Sequence, residues 1–255
     1  MIEENQLHSW NYRFMDERQL EKNYLQTLIL YELSNCFSGN LIFKGGTALS
    51  MFYGLNRFSE DLDFTYIGEI NRTTTISSLD RALTRINALY ELGKIKRRGT
   101  KTSLDIELHI KGPLYSKRKT EQALEINLSM REKLLIKYDT LELSSIYPDI
   151  PMFIFPVMNP KEILAEKIRA LLTRKKNVKA RDIYDIYYLI KHKKIPVDKE
   201  LVNKKLELYD LKFSNHKLLE KLKSIDNNLW LSEMSNLVKD VPNYTILMNF
   251  IKATL

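Results

Sequence analysis

The feature that most constrains the fold of this 255-residue chain is a change of pattern near residue 159. Before that point, short apolar or alternating runs typical of strands are interspersed with helical segments and glycines. After it, apolar residues recur at helical spacing and there is almost no glycine. The sequence therefore predicts an α+β protein, with an N-terminal mixed sheet flanked by helices in residues 1–150. A C-terminal helical bundle is expected in residues 151–255, and the proline-dotted stretch 148–160 joins the two halves.

A pair of adjacent glycines, Gly45 and Gly46, follows the run LIF, which is typical of a short buried strand. The next residues, TALSMFYGL, have the composition of a short helix. This order places unhindered backbone N–H groups at a helix N-terminus, where the orphan donors and the helix dipole favour a phosphate. Thr47 can add a hydroxyl to the same cradle. A tight turn with no ligand is the alternative interpretation.

A pair of aspartates, Asp61 and Asp63, begins the run DLDFTYI, which alternates polar and apolar residues like a strand. Side chains at positions i and i+2 of a strand emerge on the same face, so both carboxylates are expected there. Carboxylates this close repel each other unless a cation lies between them, and hard oxygen ligands suit Mg²⁺. Two solvated acids on an edge strand are the alternative. Combined with a phosphate-type turn, the pair favours phosphoryl or nucleotidyl transfer.

A third carboxylate is expected near this pair, because strong metal sites in such chemistry usually have one. Our candidate is Glu125 in the alternating run ALEINL, since its neighbours Leu124 and Ile126 point to the other, buried face. Asp105 and Glu107 in SLDIELHI satisfy the same alternation, and we interpret them as an exposed sheet face. On spacing alone, Glu125 fits an exposed face equally well.

In the helical half, four of the charged residues in the segment EILAEKIRALLTRKKNVKARDIYDIYYL form two pairs at helical spacing. Lys167 and Arg174 lie on one face of the first helix, two turns apart, and Asp182 and Asp185 share a face of the second. Two such cations could neutralise a triphosphate, and the aspartates could orient them by charge-assisted hydrogen bonds. Ordinary ion pairs between helices are the alternative.

The net charge of +8 is concentrated in the second part of the chain. Residues 1–160 contain 20 basic and 20 acidic side chains, whereas residues 161–255 contain 20 basic and 12 acidic ones. Such an asymmetry is typical of a protein that faces a polyanion, and a solvated lysine-rich surface is the alternative. The basic helices are therefore candidates for guiding an RNA.

Composition disfavours several classes of protein. No apolar stretch approaches the roughly 20 residues needed to span a bilayer, and the N-terminus lacks the pattern of a signal peptide. The single cysteine, Cys36, cannot form an internal disulfide, and the four histidines form no zinc-like cluster. We expect a soluble cytoplasmic protein that is monomeric and does not associate with membranes.

Three segments together resemble the AbiEii/AbiGii toxin family of nucleotidyltransferases, within the DNA polymerase β-like superfamily. They are FKGGTALSMFYGLNRFSEDLDF, LEIN and EILAEKIRALLTR with ARDIYDIYYL, and the likeness covers most of residues 20–190. The resemblance implies a nucleotidyltransferase-like N-terminal domain and a basic helical domain that closes the active-site cleft. Residues from about 200 onward match the family only in being helical.

The resemblance also assigns site residues. Asp61, Asp63 and Glu125 would be the metal ligands and catalytic carboxylates, with Lys167 as a catalytic cation. The nucleotide-binding positions would be Gly45, Gly46, Thr47, Arg57, Ser59, Arg174, Asp182 and Asp185, and Arg181 would complete the helical signature. Arg57 could instead support the loop by pairing with a nearby acid. Gly46 stands where the superfamily more often has serine, and Thr47 would supply the missing polar group.

The resemblance implies transfer of a nucleotide from a nucleoside triphosphate, with Mg²⁺ or Mn²⁺, to an acceptor that is expected to be tRNA or another RNA. The protein would be the toxin of a toxin–antitoxin or phage-defence system, with a cognate antitoxin from a neighbouring gene. One alternative is a catalytically silent module that binds nucleic acid or antitoxin. A glycosyltransferase, which also uses D-x-D, is disfavoured because that class usually lacks the upstream glycine–helix corner.

Overall fold

The computed structural model of the protein describes residues 1–68, 72–116, 121–174 and 178–254. The chain divides into two compact units. Unit 1 comprises Met1–Gly54 and Phe58–Met158, and unit 2 comprises Leu55–Arg57 and Asn159–Leu255. The boundary predicted at 150/151 lies before the last strand of unit 1. That strand pairs within the sheet, so unit 1 extends to Met158.

Unit 1 is built on a mixed sheet, which confirms the predicted α+β class. Within the described residues the sheet has seven strands, in the order β3-β4-β5-β2-β1-β7-β6. They are β1 (Leu41–Lys44), β2 (Leu62–Tyr66), β3 (Leu92–Gly99), β4 (Ser103–Ile110), β5 (Gln122–Ser129), β6 (Asp139–Leu143) and β7 (Phe153–Val157). The pairs β1–β7 and β2–β5 are parallel and the others antiparallel. β2, which carries Asp63, is therefore an interior strand.

The helices of unit 1 cover apolar residues of this sheet. They are α1 (Glu4–His8), α2 (Glu17–Cys36), α3 (Gly45–Tyr53) and α4 (Arg72–Leu89). α2 packs against α4 and against β5 and β7, and its residues Leu20, Tyr24 and Leu28 are buried. Phe43 of β1 and Phe64 of β2 lie in the same core, with ring centroids 5.1 Å apart. This core fixes the ends of β1 and β2, where the site residues lie.

Pro156 lies in β7, between β1 and β6, although a proline within a sheet is usually found in an edge strand. The N–H of Met158 donates to Phe43 O at 2.8 Å. Because backbone groups alternate sides along a strand, the nitrogen of Pro156 faces β1 as well. β1 pairs with β7 at the single register position Phe43–Val157, so a missing donor at Pro156 removes no bond from that ladder.

Unit 2 is helical, as the sequence predicts. Its helices are α5 (Pro160–Thr173), α6 (Ala180–Lys191), α7 (Lys199–Leu206), α8 (Asn215–Lys223), α9 (Asn227–Met234) and α10 (Tyr244–Thr254). α5 begins at residues that favour a helix start: Asn159 is the N-cap, its side chain accepts from the N–H of Lys161 at 3.0 Å, and Pro160 begins the helix. α5 packs against α6, α7 and α8. Among the described residues, no helix is both long and apolar enough to cross a membrane.

Candidate functional site

The glycine corner predicted from the sequence lies directly against Asp63. β1 ends at Lys44, and α3 begins at Gly45 with a φ of +78°, in the left-handed region that favours glycine. A Cβ placed on Gly45 would lie 2.5 Å from Oδ2 and 3.2 Å from Cβ of Asp63. Both the backbone conformation and the space at this position therefore require glycine, because the carboxylate of Asp63 occupies the place of a side chain.

Strand register explains why Asp63 reaches this corner. In the antiparallel pair β1–β2, Asp63 lies opposite Lys44, the residue just before the first glycine. In the parallel pair β2–β5, Asp63 lies opposite Asn127, whose Nδ2 donates to Asp63 Oδ1 at 3.1 Å. Asp63 is half-buried.

Asp61 lies just before β2, in a loop that two buried side chains hold in place. The hydroxyl of Thr47, only 2% exposed, donates to the backbone carbonyl of Asp61 at 2.5 Å. Gln26 of α2, 0% exposed, donates through Nε2 to Ser59 O at 3.0 Å and to Glu60 O at 2.8 Å. In this arrangement the hydroxyl of Thr47 positions the aspartate loop, whereas the sequence predicts that it contacts phosphate.

Glu125 does not join the two aspartates in a three-carboxylate group. Among the described residues, no three His, Cys, Asp or Glu side chains lie close enough together to hold a metal ion. Glu125 is exposed and lies opposite Glu107 of β4, whereas Asn127 is the residue opposite Asp63. The register of β2 against β5 aligns the amide of Asn127 with Asp63, and the role of Glu125 as a third ligand beside Asp61 and Asp63 stays a prediction.

Unit 2 contains a buried charged cluster formed by five of the predicted residues. Arg57 donates to Asp185 through Nε at 2.6 Å and through Nη2 at 2.7 Å, in a bidentate pair. Lys167 Nζ lies 2.9 Å from Asp182 Oδ1 and 2.7 Å from Asp185 Oδ2, and Arg174 donates to Asp182. The structure thus brings together both predicted cations, both predicted aspartates and Arg57.

Exposure separates the members of this cluster. The side chains of Arg57 and Asp185 are 1% and 0% exposed, and that of Asp182 is 4% exposed. Those of Lys167 and Arg174 are 14% and 31% exposed. A dissolved anion can therefore approach Lys167 and Arg174, whereas the other three are sealed by their neighbours.

The ion pairs determine the protonation of the cluster. Burial by itself would raise the pKa of both aspartates, but the neighbouring cations outweigh it and hold each pKa below its ordinary value. Burial likewise opposes the charged form of Lys167, yet Asp185 and Asp182 raise the pKa of its ammonium. Asp182, Asp185 and Lys167 are therefore charged at neutral pH.

Sequence reasoning missed four residues of the corner on unit 1: Gln26, Asn127 and the buried pair formed by Lys44 and Glu132. Lys44 Nζ lies 2.7 Å from Glu132 Oε2, with side chains 11% and 9% exposed. Asn127 had a visible signal, since it is two residues after Glu125 and so lies on the same face of β5. Gln26 and Glu132 had none, because their contacts depend on packing between distant segments.

We expect Gly45→Ala to impair both folding and transfer. Its Cβ would meet Asp63 Oδ2, and its positive φ would add strain of about 1–2 kcal/mol. Gly39→Ala is a matched control, because Gly39 has a φ of +87° and nothing within 4 Å of an added Cβ. Urea unfolding should show a larger loss for Gly45→Ala, and nucleotide transfer should fall by about 10–100-fold in that variant alone. Equal losses of stability with full activity in both variants would contradict the contact.

The fold of this chain is similar to that of two solved proteins. Two solved structures from Helicobacter pylori each align with 94% of this chain. One is JHP933, with a TM-score of 0.58, 22% identity and 90% of its own chain covered. The other is a candidate nucleotidyltransferase, with a TM-score of 0.60, 23% identity and 94% of its chain covered. At these identities the likeness establishes the fold.

The family is established by the sequence itself. The family model described as nucleotidyl transferase AbiEii toxin, type IV TA system, matches residues 28–246. The protein therefore belongs to the AbiEii family of nucleotidyltransferase toxins and is a transferase, which confirms the predicted family and enzyme class. Membership implies a nucleotide substrate and an antitoxin partner. A comparison with curated protein sequences gave no match.

Proposed function

We propose that this toxin transfers a nucleoside monophosphate from a nucleoside triphosphate to an RNA acceptor, expected to be tRNA, in a Mg²⁺-dependent reaction during toxin–antitoxin activity or phage defence. The contact between the Gly45 backbone and the carboxylate of Asp63 carries the proposal. It places a helix N-terminus suited to phosphate beside a ligand suited to a hard cation. The alternative of solvated acids on an edge strand is disfavoured, because β2 is an interior strand.

The side chains present fit a magnesium ion. Mg²⁺ usually keeps several waters and binds through one or two carboxylates together with substrate phosphates. The partly exposed Asp61 and Asp63 meet that requirement without a third acid, and the same oxygen ligands suit Mn²⁺. When bound, the metal would neutralise charge on the triphosphate and make the α-phosphorus more electrophilic.

The chain's own groups would bind and orient the substrates. Backbone N–H groups of Gly45, Gly46 and Thr47 would hold the phosphates, with Ser59 as a further donor. The hydroxyl oxygen of the acceptor forms a bond to the α-phosphorus while the bond to the β-phosphate breaks, and pyrophosphate leaves. The hydroxyl proton would pass to Glu125, as the sequence predicts, or to one of the two aspartates.

For unit 2 we propose a division of roles that follows exposure. Lys167 and Arg174, the two members open to a dissolved anion, would supply positive charge to the triphosphate. Asp182 and Asp185 would orient these cations, and Arg57 would hold Asp185 rather than contact the nucleotide. The nucleotide-binding role that the resemblance implies for Arg57, Asp182 and Asp185 would then be indirect.

The test is to incubate the purified protein with each of the four labelled nucleoside triphosphates, Mg²⁺ and total tRNA. We expect label in RNA from wild type, none after chelation of the metal, and none from Asp61→Asn. Label in protein would mean that the acceptor is a protein and that the proposed RNA acceptor is wrong. Tight RNA binding without any transfer by wild type would favour the catalytically silent module.

A further inference from the structure

Asn127 lies beside the proposed metal ligand, and we propose that it is a positioning residue that fixes the carboxylate of Asp63 by donating a hydrogen bond. This inference rests on the proposed function, because it assigns a role in organising that same site. Neither the sequence pattern nor the family likeness assigns a role to Asn127. The register of β2 against β5 and one side-chain contact point to it.

The two oxygens of the Asp63 carboxylate meet different neighbours. Oδ1 accepts from Asn127 Nδ2 at 3.1 Å, while Oδ2 lies where a side chain on Gly45 would be, 2.5 Å from a Cβ built there. A carboxylate whose Oδ1 accepts a hydrogen bond rotates less freely about its terminal bond, which otherwise has a broad, two-fold preference. Asn127 therefore directs Oδ2 toward the glycine corner.

An amide at this position also limits the charge of the site. A third carboxylate opposite Asp63 would add a negative charge within a few ångströms of it and would repel a triphosphate. Asn127 instead offers an N–H donor, which orients the aspartate without that repulsion. The corner thus contains two acids and an amide, and the amide supports a ligand while leaving the coordination positions to water and phosphate.

The first test uses Asn127→Ala and measures metal binding apart from turnover. Loss of a hydrogen bond that orients a ligand typically weakens metal affinity or activity by about 10–100-fold. We expect the dissociation constant for Mn²⁺ alone, followed by electron paramagnetic resonance, to rise by that factor. The rate at low Mg²⁺ should fall similarly and recover at high Mg²⁺, with an unchanged melting temperature. Ser129→Ala is the matched control, because Ser129 lies two residues further along β5, opposite Thr65.

The second test, Asn127→Asp, asks whether this position requires a donor or an oxygen. We expect Asn127→Asp to lose Mn²⁺ affinity and transfer as Asn127→Ala does, since it cannot donate when ionised. Wild-type or better performance by Asn127→Asp, or unchanged Mn²⁺ binding by Asn127→Ala, would overturn the inference. Asp63→Asn is run in parallel. If Asp63→Asn is inactive while Asn127→Ala is normal, only this inference fails, and if Asp63→Asn is active the proposed function fails.

Discussion

Asp63→Asn should lose nucleotide transfer by about 1,000-fold or more, because a metal ion supplies several kcal/mol of charge stabilisation and each 1.36 kcal/mol is a factor of ten. The substitution keeps the size of the side chain that fills the space above Gly45, so the corner should retain its packing. What it removes is the negative charge that makes Asp63 a ligand for a hard cation. The measurement is the initial rate of transfer from a labelled triphosphate at saturating Mg²⁺, with RNA affinity and the melting temperature measured alongside.

A matched control for this variant lies on the same face of the sheet. Asp105 of β4 is exposed and sits opposite Asn127, on the side of β5 away from Asp63. Asp105→Asn makes the same change of charge and should retain transfer within about twofold, in line with the small effects of surface substitutions. If the two variants behave alike, whether both active or both inactive, Asp63 has no special role and the metal site must be sought elsewhere.

The parts of the site that were predictable are those encoded in local sequence. The order of strand, diglycine and helix, and the i, i+2 spacing of Asp61 and Asp63, depend on neighbouring residues alone, and the structure has a strand, a glycine corner and a helix at those positions. The direct contact of Gly45 with Asp63 depends on the antiparallel pairing of β1 with β2, which no local pattern specifies. The strand, the glycine corner and the helix were therefore predictable from local sequence, whereas the contact between Gly45 and Asp63 depends on how distant segments pack.

The local sequence pattern could not specify the register of β5 against β2. Glu125 and Asn127 alternate identically and lie on one face of β5, so the pattern alone could not say which of them lies opposite Asp63. The parallel pairing of β5 with β2 joins segments about sixty residues apart and selects Asn127. Carboxylates are the usual ligands of hard metal ions, so the sequence pattern favours Glu125 over the amide of Asn127.

The sequence analysis did not predict β3, because its pattern of apolar residues is weak. β3, with the sequence LGKIKRRG, is largely exposed and lies at an edge of the sheet, so it needs no regular apolar face. A glycine such as Gly93 is typical of a helix end, but the preceding helix ends at Leu89 and Gly93 lies inside β3. A Cβ on Gly93 would lie 2.7 Å from Oε1 of Glu121, so this glycine accommodates a close side chain rather than a helix terminus.

The cluster on unit 2 leads to the second large effect, a loss of stability in Asp185→Ala. Asp185 is 0% exposed and accepts from Arg57 at 2.6 and 2.7 Å and from Lys167 at 2.7 Å. Removing Asp185 leaves Arg57 and Lys167 with one fewer partner each. Breaking a buried ion pair in this way typically costs about 3–5 kcal/mol. We expect unit 2 to lose stability by that amount at neutral pH.

Tryptophan fluorescence can follow unit 2 by itself. The chain has two tryptophans, so in a Trp10→Phe background the remaining Trp230, buried at 0% exposure in α9, reports on unit 2. Glu220→Gln is a suitable control, since its ion pair with His216 is mostly exposed, and such pairs contribute only about 0–1 kcal/mol.

Because Asp185→Ala can fail to fold, Arg57→Met with Asp185→Leu provides a second measurement. An apolar replacement of the whole pair should be less damaging than loss of one partner.

The pH dependence separates the ion pairs from simple packing. Burial raises the pKa of Asp185, but Arg57 and Lys167 more than offset this and hold the folded-state pKa below the unfolded one. The contribution of the cluster is therefore fully present above the unfolded pKa of about 3.9 and is lost as the pH falls through the lower folded value. In urea titrations, the difference in unfolding free energy between wild type and Asp185→Ala should be largest near pH 7 and should shrink below about pH 3.9. A difference that stayed constant down to pH 2 would mean that the side chain of Asp185 stabilises unit 2 by filling space, and that its charge contributes little.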